Sequence, residues 1–254
     1  QTELFERAVD AARHLSPQDD YDTVFAPLVA LADDAPEATE AALARLGSDD
    51  AVVRATACDL AGLICERNEA PRKRAVQPLL HLVASEVDED VLWSAARALG
   101  ATASSLALPA LVALAQQSDA DVRTQVAVAI PACTDEDVDP SAVLALIGLT
   151  DDSDADVRNW ATFGLGRQLA TDSQVVRDAL WARVADESQD VREEAVAGLA
   201  RRRDQRSLPL VARLLESGDV PSWLFDAAAS LADSSLVPAL RDYDQADDLV
   251  RRAL

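Results

Sequence analysis

Ser153-Asp154-Ala155-Asp156-Val157-Arg158 is the stretch that decides the fold, because it recurs along the chain. Related copies are Ser118-Asp119-Ala120-Asp121-Val122-Arg123, Ser188-Gln189-Asp190-Val191-Arg192 and the looser Ser48-Asp49-Asp50-Ala51-Val52-Val53-Arg54. The valines at 122, 157 and 191 lie 35 and 34 residues apart. A fixed period in this range is typical of stacked supersecondary units that each contact only their neighbours.

The composition favours helices. Hydrophobic residues, among which alanine is the commonest, make up 49% of the 254 residues, whereas aromatic residues make up 4% and there are only 8 glycines. Together with the repeat, this predicts an all-α protein, a right-handed α-solenoid of about seven to eight antiparallel helix pairs. We expect residues 1–254 to form this single solenoid, with capping pairs at 1–34 and 233–254 and repeats over 35–232. First helices are predicted to start near residues 36, 71, 106, 140, 173 and 207.

The recurring motif has a physical reason at each position. An aspartate or serine before a helix accepts hydrogen bonds from the free backbone N–H groups of the first turn. The valine, the alanine four residues later and the leucine eight residues later share one face, which packs inward. The arginine after the valine can reach an aspartate in the loop of an adjacent unit. The predicted structural ladder of such pairs comprises Asp50, Arg54, Asp121, Arg123, Asp156, Arg158, Asp190 and Arg192.

The motif Asp-x-x-Val-Arg-x-x-Ala-x-x-x-Leu-Gly, with a preceding Leu-Pro-x-Leu helix, resembles HEAT repeats. The match is closest to the short repeats of bacterial and archaeal HEAT-like proteins, which include phycobilisome lyase-type repeats. It is carried by residues 108–130, 153–166 and 188–200, and Leu208-Pro209-Leu210 repeats the first-helix pattern. The resemblance implies a curved solenoid whose second helices line the concave side. It is specific for the fold and nearly silent on function.

The charge balance limits the classes of partner that the protein is expected to bind. The formal net charge is −22 and the sequence pI is about 4.3. Because phosphate binding relies on clustered lysine and arginine, a nucleic-acid partner is not expected. The sequence leaves open whether the acidity reflects a high-salt habitat, a GC-rich genome or a basic partner.

The compartment is also predicted from the sequence. The odd count of three cysteines, Cys58, Cys65 and Cys133, favours a reducing compartment, so we expect a cytoplasmic protein with buried thiols. The sequence has no long apolar run of membrane-spanning length. The first residues, Gln1-Thr2-Glu3-Leu4, lack the basic start and apolar core of a signal peptide. No membrane partner is therefore expected.

A partner-binding surface is predicted on the second helices. If these helices line a concave groove, the residues two, three and six places after the motif valine point into it. Exposed aromatic groups beside arginine are typical anchors of protein interfaces. We therefore expect a groove that binds a peptide or protein segment, although the same rings could instead fill gaps in an alanine-rich core. Trp181, on a first helix, is predicted to be buried. The predicted groove residues are Trp93, Arg97, Asn159, Trp160, Phe163 and Phe225.

Catalytic and metal chemistry find little support. His14 and His81 lie in different units without metal-like neighbours in the sequence. The run from Asp152 to Asp156 resembles the start of a calcium loop, but the required glycine and glutamate are replaced by Val157 and Phe163. There is no phosphate-binding loop or nucleophile elbow. We predict no catalytic residue, no metal and no cofactor, and the oligomeric state is left open.

Three function classes remain. The leading one is a non-enzymatic scaffold or adaptor that binds a protein or peptide partner. The second is a bilin lyase or chaperone, because the resemblance extends to such proteins, and Arg97 with Arg167 could hold the propionates of a bilin. The third is a HEAT-like DNA glycosylase, which the acidic charge disfavours. Arg201-Arg202-Arg203 is a short basic cluster at a helix C-terminus, where cations suit the helix dipole, and it is a weak candidate for binding.

Overall fold

The computed structural model describes residues 2–15, 22–33, 35–135, 139–217, 220–241, 243 and 252–253. These residues form helices and connecting turns, and no β-strand occurs among them. The prediction of an all-α protein built from helix pairs is confirmed. The chain divides into two compact units, Gln1–Ala142 and Val143–Leu254. The single-domain organisation with capping pairs stays a prediction.

The first unit contains four helix pairs. They are α1 (Thr2–His14) with α2 (Asp22–Ala32), α3 (Ala35–Leu43) with α4 (Ala51–Arg67), α5 (Arg72–Val83) with α6 (Glu89–Ala101), and α7 (Leu108–Leu114) with α8 (Ala120–Ala132). A 3-10 turn at Ser105–Ala107 leads into α7. Pro131, predicted to end or kink its helix, lies one residue before the end of α8.

The second unit continues the pattern. Its helices are α9 (Pro140–Leu149), which spans the division between the units, α10 (Ala155–Phe163), α11 (Gln174–Arg183), α12 (Gln189–Arg201), α13 (Leu208–Leu215), α14 (Ser222–Leu231) and α15 (Val237–Leu240). Further 3-10 turns lie at Gln205–Ser207 and Ser234–Leu236. The predicted final helix, 245–254, falls almost wholly outside the described residues.

The predicted aspartate caps begin the second helix of most pairs. The Asp50 carboxylate accepts from the backbone N–H of Val52 at 3.0 Å, and Asp119 accepts from that of Val122 at 2.9 Å. Asp88 caps α6 and Asp154 caps α10 in the same way. Each such cap contributes about 1 kcal/mol. The motif therefore sets where each of these helices begins.

The second helices form the spine of each unit. Helices α4, α6 and α8 pack side by side in the first unit, and α10, α12 and α14 do so in the second. The motif valines lie at the centre of these contacts, since Val122, Val157 and Val191 are 0% exposed. Small residues let the backbones approach. A Cβ built on Gly100 would lie 2.9 Å from the Cβ of Ala129, and one on Gly198 would lie 2.7 Å from the Cα of Gly166.

The helix that carries the motif Val157 changes its geometry after Phe163. After α10 ends at Phe163, the chain widens into a π-helical turn over Gly164–Gln168. Arg202 stabilises this turn from the end of α12. The residue is 8% exposed, and its guanidinium donates to the carbonyl oxygens of Leu165, Gly166, Leu169, Thr171 and Gly198. Burial lowers the pKa of Arg202 to about 10. Within the basic cluster Arg201-Arg202-Arg203, Arg202 therefore has a structural role.

Three helix ends use a left-handed residue that is not glycine. Ala103, Arg203 and Ala232 have φ values of 48°, 52° and 51°. An L-residue in this region costs roughly 1–2 kcal/mol relative to a right-handed backbone, and glycine avoids the steric cost. Each of these ends therefore holds local strain.

The three cysteines are buried, free thiols, as predicted. Burial raises the pKa of Cys65 and of Cys133 to about 11, and it raises the pKa of Cys58 well above its ordinary value. The Sγ of Cys133 lies 3.5 Å from the carbonyl oxygen of Leu99 on α6. These side chains behave as small core residues rather than as reactive thiols.

Candidate functional site

The side chains predicted to form a groove lie on two separate units, and their surroundings differ. In the second unit, Trp160 is 41% exposed. Its ring meets that of Phe163 edge to face, with centroids 5.8 Å apart. The guanidinium carbon of Arg167 lies 5.6 Å from the centroid of the half-buried Phe163 ring. Arg167 in turn places its Nη1 atom 3.4 Å from Oε1 of Glu194 on α12. We call Trp160, Phe163, Arg167 and Glu194 the Trp160 cluster.

Two hydrogen-bond acceptors at this surface lack a donor within the described residues. They are the Oδ1 atom of Asn159 and the Oε2 atom of Glu194, both of which are shielded from solvent. Burial raises the pKa of Glu194, and the charges of Glu193 and Asp190 add to that rise while Arg167 opposes it. A buried acceptor without a donor costs free energy, which a donor from a partner would recover. The surface is therefore suited to a ligand that donates hydrogen bonds.

In the first unit the predicted Arg97 is enclosed by the protein itself. Its Nη2 atom lies 2.8 Å from Oε1 of Glu66, and its Nη1 atom lies 3.8 Å from Oδ1 of Asp59, which is 1% exposed. The guanidinium covers the ring of Phe25 at 4.9 Å. Trp93, on the same helix, is half-buried. Arg97 therefore joins α2, α4 and α6 rather than facing a groove.

Two predictions about aromatic exposure are wrong. Phe225 does not project from the surface, because it is 8% exposed and packs edge to face against Tyr243, 5.2 Å away, near the chain's C-terminus. Trp181, on first helix α11, is not buried but 37% exposed. Arg206 covers one face of that ring at 5.2 Å. The helical period alone does not reveal what a later segment covers.

The motif arginines bind the loops of the repeats. Arg54 forms two hydrogen bonds to Glu86, the shorter of them 2.7 Å, and Arg158 forms two to Asp186, at 3.0 and 2.9 Å. Each acid lies in the loop of the following unit. The hydrogen bond from Arg158 lowers the pKa of Asp186. All four arginines, Arg54, Arg123, Arg158 and Arg192, also donate to carbonyl oxygens of the loop before their own helix.

The aspartates predicted for this ladder take other roles. Asp50 caps α4 and pairs with Arg13, while Asp121, Asp156 and Asp190 are exposed. For Arg54 and Arg158 the acid comes from the next loop instead. Asp121, Asp156 and Asp190 lie two residues before their arginines on the same helix, a spacing at which side chains do not face each other. The arginines hold the loops and register of neighbouring units.

A cleft of about 370 Å³ lies between α12, α13 and α14. Leu214, Trp223 and Leu224 form part of its wall, together with Glu193 and Gln189. The Glu193 carboxylate accepts from Nε1 of Trp223 at 2.9 Å and from the Gln189 amide at 2.8 Å. The polar side chains of this cleft thus hydrogen-bond to one another, whereas the Trp160 cluster retains an acceptor without a donor in the described residues.

Neither a metal centre nor a membrane segment is found in the described part of the chain. No group of three or more His, Cys, Asp or Glu side chains is arranged there to hold an ion. No helix among the described residues has the length and apolarity needed to cross a bilayer.

Helix pairs that repeat with stacked second helices and capped loops define an α-helical repeat protein. Residues 39–131 match the family model of HEAT repeats, so the predicted resemblance is confirmed over that part of the chain. Among curated proteins, Protein YibA of Escherichia coli K12 is 34% identical over 84 residues. That match covers 33% of this chain and 30% of YibA, so it spans less than a third of the relative's length.

Solved structures extend the likeness to the whole chain. The crystal structure of YibA from Escherichia coli superposes with a TM-score of 0.71 at 22% identity, covering 99% of this chain and 94% of that one. The archaeal HEAT-like repeat protein from Thermococcus onnurineus NA1 gives 0.59 at 19% identity, covering 94% and 97%. A designed armadillo repeat protein in complex with the peptide (KR)4 gives 0.50 at 19% identity, covering 85% and 96%. At identities this low, the superpositions show a shared fold.

Proposed function

We propose that the protein is a non-enzymatic scaffold that binds a peptide or protein segment on its second helices, with the Trp160 cluster as the contact. The observation that carries this proposal is the exposure of Trp160, 41%, directly beside Phe163. Exposed tryptophans next to arginine are enriched among residues that dominate interface energies. The neighbouring Asn159 Oδ1 atom adds an acceptor without a donor in the described residues.

The comparison with repeat proteins supports the same class of function. The designed armadillo protein of similar fold was solved with a peptide bound. Stacked helix pairs present an extended surface that suits such a segment. Of the other predicted groove residues, Trp93 remains a candidate contact in the first unit, whereas Arg97 is held by Glu66 and Asp59. Since one of the two cations assigned to a bilin is thus occupied, the lyase alternative is not proposed. The buried free thiols fit a reducing compartment, which supports our proposal of a cytoplasmic protein.

The test uses a displayed library of random peptides selected against the full chain. Trp160→Ala should weaken the selected peptides by about 10-fold or more, because it removes the exposed ring. Trp181→Ala is the matched control, since this tryptophan is comparably exposed, at 37%, but lies on a first helix. Circular dichroism shows that both variants keep their helices. Equal loss in the two variants, or none in Trp160→Ala, would overturn the proposal.

A further inference from the structure

Arginine side chains cover aromatic rings at four places among the residues that the structure describes. The pairs are Arg45 on Phe5, Arg97 on Phe25, Arg167 on Phe163 and Arg206 on Trp181, with distances from guanidinium carbon to ring centroid of 4.6 to 5.6 Å. In three of them the arginine also pairs with a carboxylate, which is Glu66 for Arg97, Glu194 for Arg167 and Asp178 for Arg206. The ring attracts the cation through its quadrupole, and the acid fixes its position.

Trp160 departs from this arrangement. Within the described residues no cationic side chain lies over its ring, although it is the more exposed member of the pair with Phe163. Only one of the two carboxylate oxygens of Glu194 faces a cation in the part of the chain that the structure describes. Its Oε1 atom faces Arg167, while its Oε2 atom is shielded from solvent and has no hydrogen-bond donor in the described residues. The ring and the acceptor needed for another guanidinium are thus both present, and the guanidinium is not.

We propose that the segment bound at this surface is basic, and that one of its arginine side chains covers Trp160 and donates to Glu194. This rests on the proposed function and names the chemistry of the partner. The wider charge agrees with it, because a net charge of −22 attracts a cationic segment and repels an acidic one. Glu193 and Asp190, which act on Glu194 through their charges, outnumber the single opposing charge of Arg167. Arginine suits the site better than lysine, because its planar group both stacks on a ring and presents several donors.

The experiment measures fluorescence anisotropy of labelled eight-residue peptides with the full chain. The probes are alternating lysine–arginine, the same peptide with citrulline in place of each arginine, alternating lysine–glycine, and alternating aspartate–glutamate. Citrulline keeps the shape of arginine and removes its charge. We expect the first peptide to bind, the citrulline and lysine–glycine peptides to bind at least about 10-fold more weakly, and the acidic peptide not to bind.

Substitutions then locate the site. Trp160→Ala and Glu194→Gln should each weaken the lysine–arginine peptide by about 10-fold. Glu216→Gln, at an exposed position after α13, removes the same unit of charge and should change affinity by less than about twofold. Equal losses in Glu194→Gln and Glu216→Gln would mean that only the overall field acts, and would overturn the proposal.

The two proposals fail separately. The selected library peptides could depend on Trp160 and yet carry no excess of arginine. That result would overturn the proposal of a basic partner, and the proposed scaffold function would still stand. If no peptide, selected or synthetic, depends on Trp160, both proposals fall. Equal binding of the citrulline and arginine peptides would exclude the cation contact even if both depend on Trp160.

Discussion

Arg97 in the first unit and Arg167 in the second both lie over a phenylalanine ring beside a glutamate, yet only the second leaves an open surface around it. The Arg97 side chain is 18% exposed and lies beside Asp59, a carboxylate that is 1% exposed within α4. Gly62 makes room for it, since a Cβ there would lie 3.4 Å from its Nη1 atom. The Arg167 side chain is 37% exposed and has Trp160 nearby with no cation over its ring in the described residues.

The two arginines lie at different distances from their motif valines, Arg97 six residues after Val91 and Arg167 ten residues after Val157, and they take different roles. Arg97 meets a buried acid from a neighbouring helix, so it is part of the core and links three helices. Arg167 has no buried acid among the described residues, so it stays half-exposed, and the nearby ring of Trp160 is available to a partner. The two units also differ at the ends of their second helices, where Cys133 in one and Arg202 in the other reach back to carbonyl oxygens of the preceding second helix.

The largest effect is expected at this helix end. Arg202→Met should lower the free energy of unfolding by about 4 kcal/mol, because five carbonyl oxygens lose a buried donor. Its counterpart in the first unit, Cys133→Ala, should cost about 1 kcal/mol, since it removes one weak hydrogen bond and one sulfur atom. Urea unfolding followed by circular dichroism measures both. Similar losses would mean that the two ends are equivalent.

Arg97→Gln should cost about 3 kcal/mol, because it leaves the buried Asp59 without its cation. Adding Asp59→Asn should recover part of that loss, since a neutral amide is cheaper to bury than a carboxylate. Arg167→Gln, whose acid is more accessible, should cost less than about 1 kcal/mol. The same unfolding measurement distinguishes them, and an equal cost at 97 and 167 would contradict the contrast drawn between the two units.

Gly198→Ala should destabilise by about 2 kcal/mol, because the new methyl group meets the backbone of Gly166, 2.7 Å away. Gly100→Ala should cost somewhat less, since its nearest obstacle is the side chain of Ala129 at 2.9 Å. Gly148→Ala is the control, because it has open space around it in helix α9 and should stabilise by about 0.5 kcal/mol. Thermal melts rank the three variants, and a stabilised Gly198→Ala would show that the helices can separate freely.

The smallest effects are expected at the left-handed helix ends. Ala103→Gly and Ala232→Gly should each raise the free energy of unfolding by about 0.5–1 kcal/mol, because glycine adopts positive φ without strain. The same change within helices, Ala113→Gly in α7 and Ala182→Gly in α11, should lower it by about 1 kcal/mol. A loss of stability at 103 or 232 would mean that the alanine methyl contributes more than its backbone costs.

The helix pairs could be predicted because short stretches of sequence determine them. An aspartate before a helix caps it, and a valine, an alanine and a leucine spaced by four share a face. The roles of Asp119, Val122 and their equivalents could therefore be assigned from the sequence. The π turn at 164–168 could not, because it depends on Gly166 meeting Gly198 and on Arg202 reaching back from another helix. Among three consecutive arginines, spacing does not tell which one turns inward.

The candidate site was predicted in part for the same reason. Trp160 and Phe163 lie on the expected face because they belong to a regular helix. Phe225 has an equivalent position, but Tyr243, from a distant part of the sequence, covers it. Arg97 was assigned to a groove because no pattern connects it to Asp59, 38 residues earlier. Contacts between segments decide exposure, and a period within one segment does not record them.

The placement of the thiols offers a way to watch the two units separately. All three buried cysteines lie in residues 1–142, whereas three of the four tryptophans, at 160, 181 and 223, lie in residues 143–254. The rate at which a thiol reagent labels the chain would thus report opening of the first unit, and tryptophan emission would report mainly on the second. The native chain carries, without added dyes, two independent reporters of whether its halves melt together or in succession.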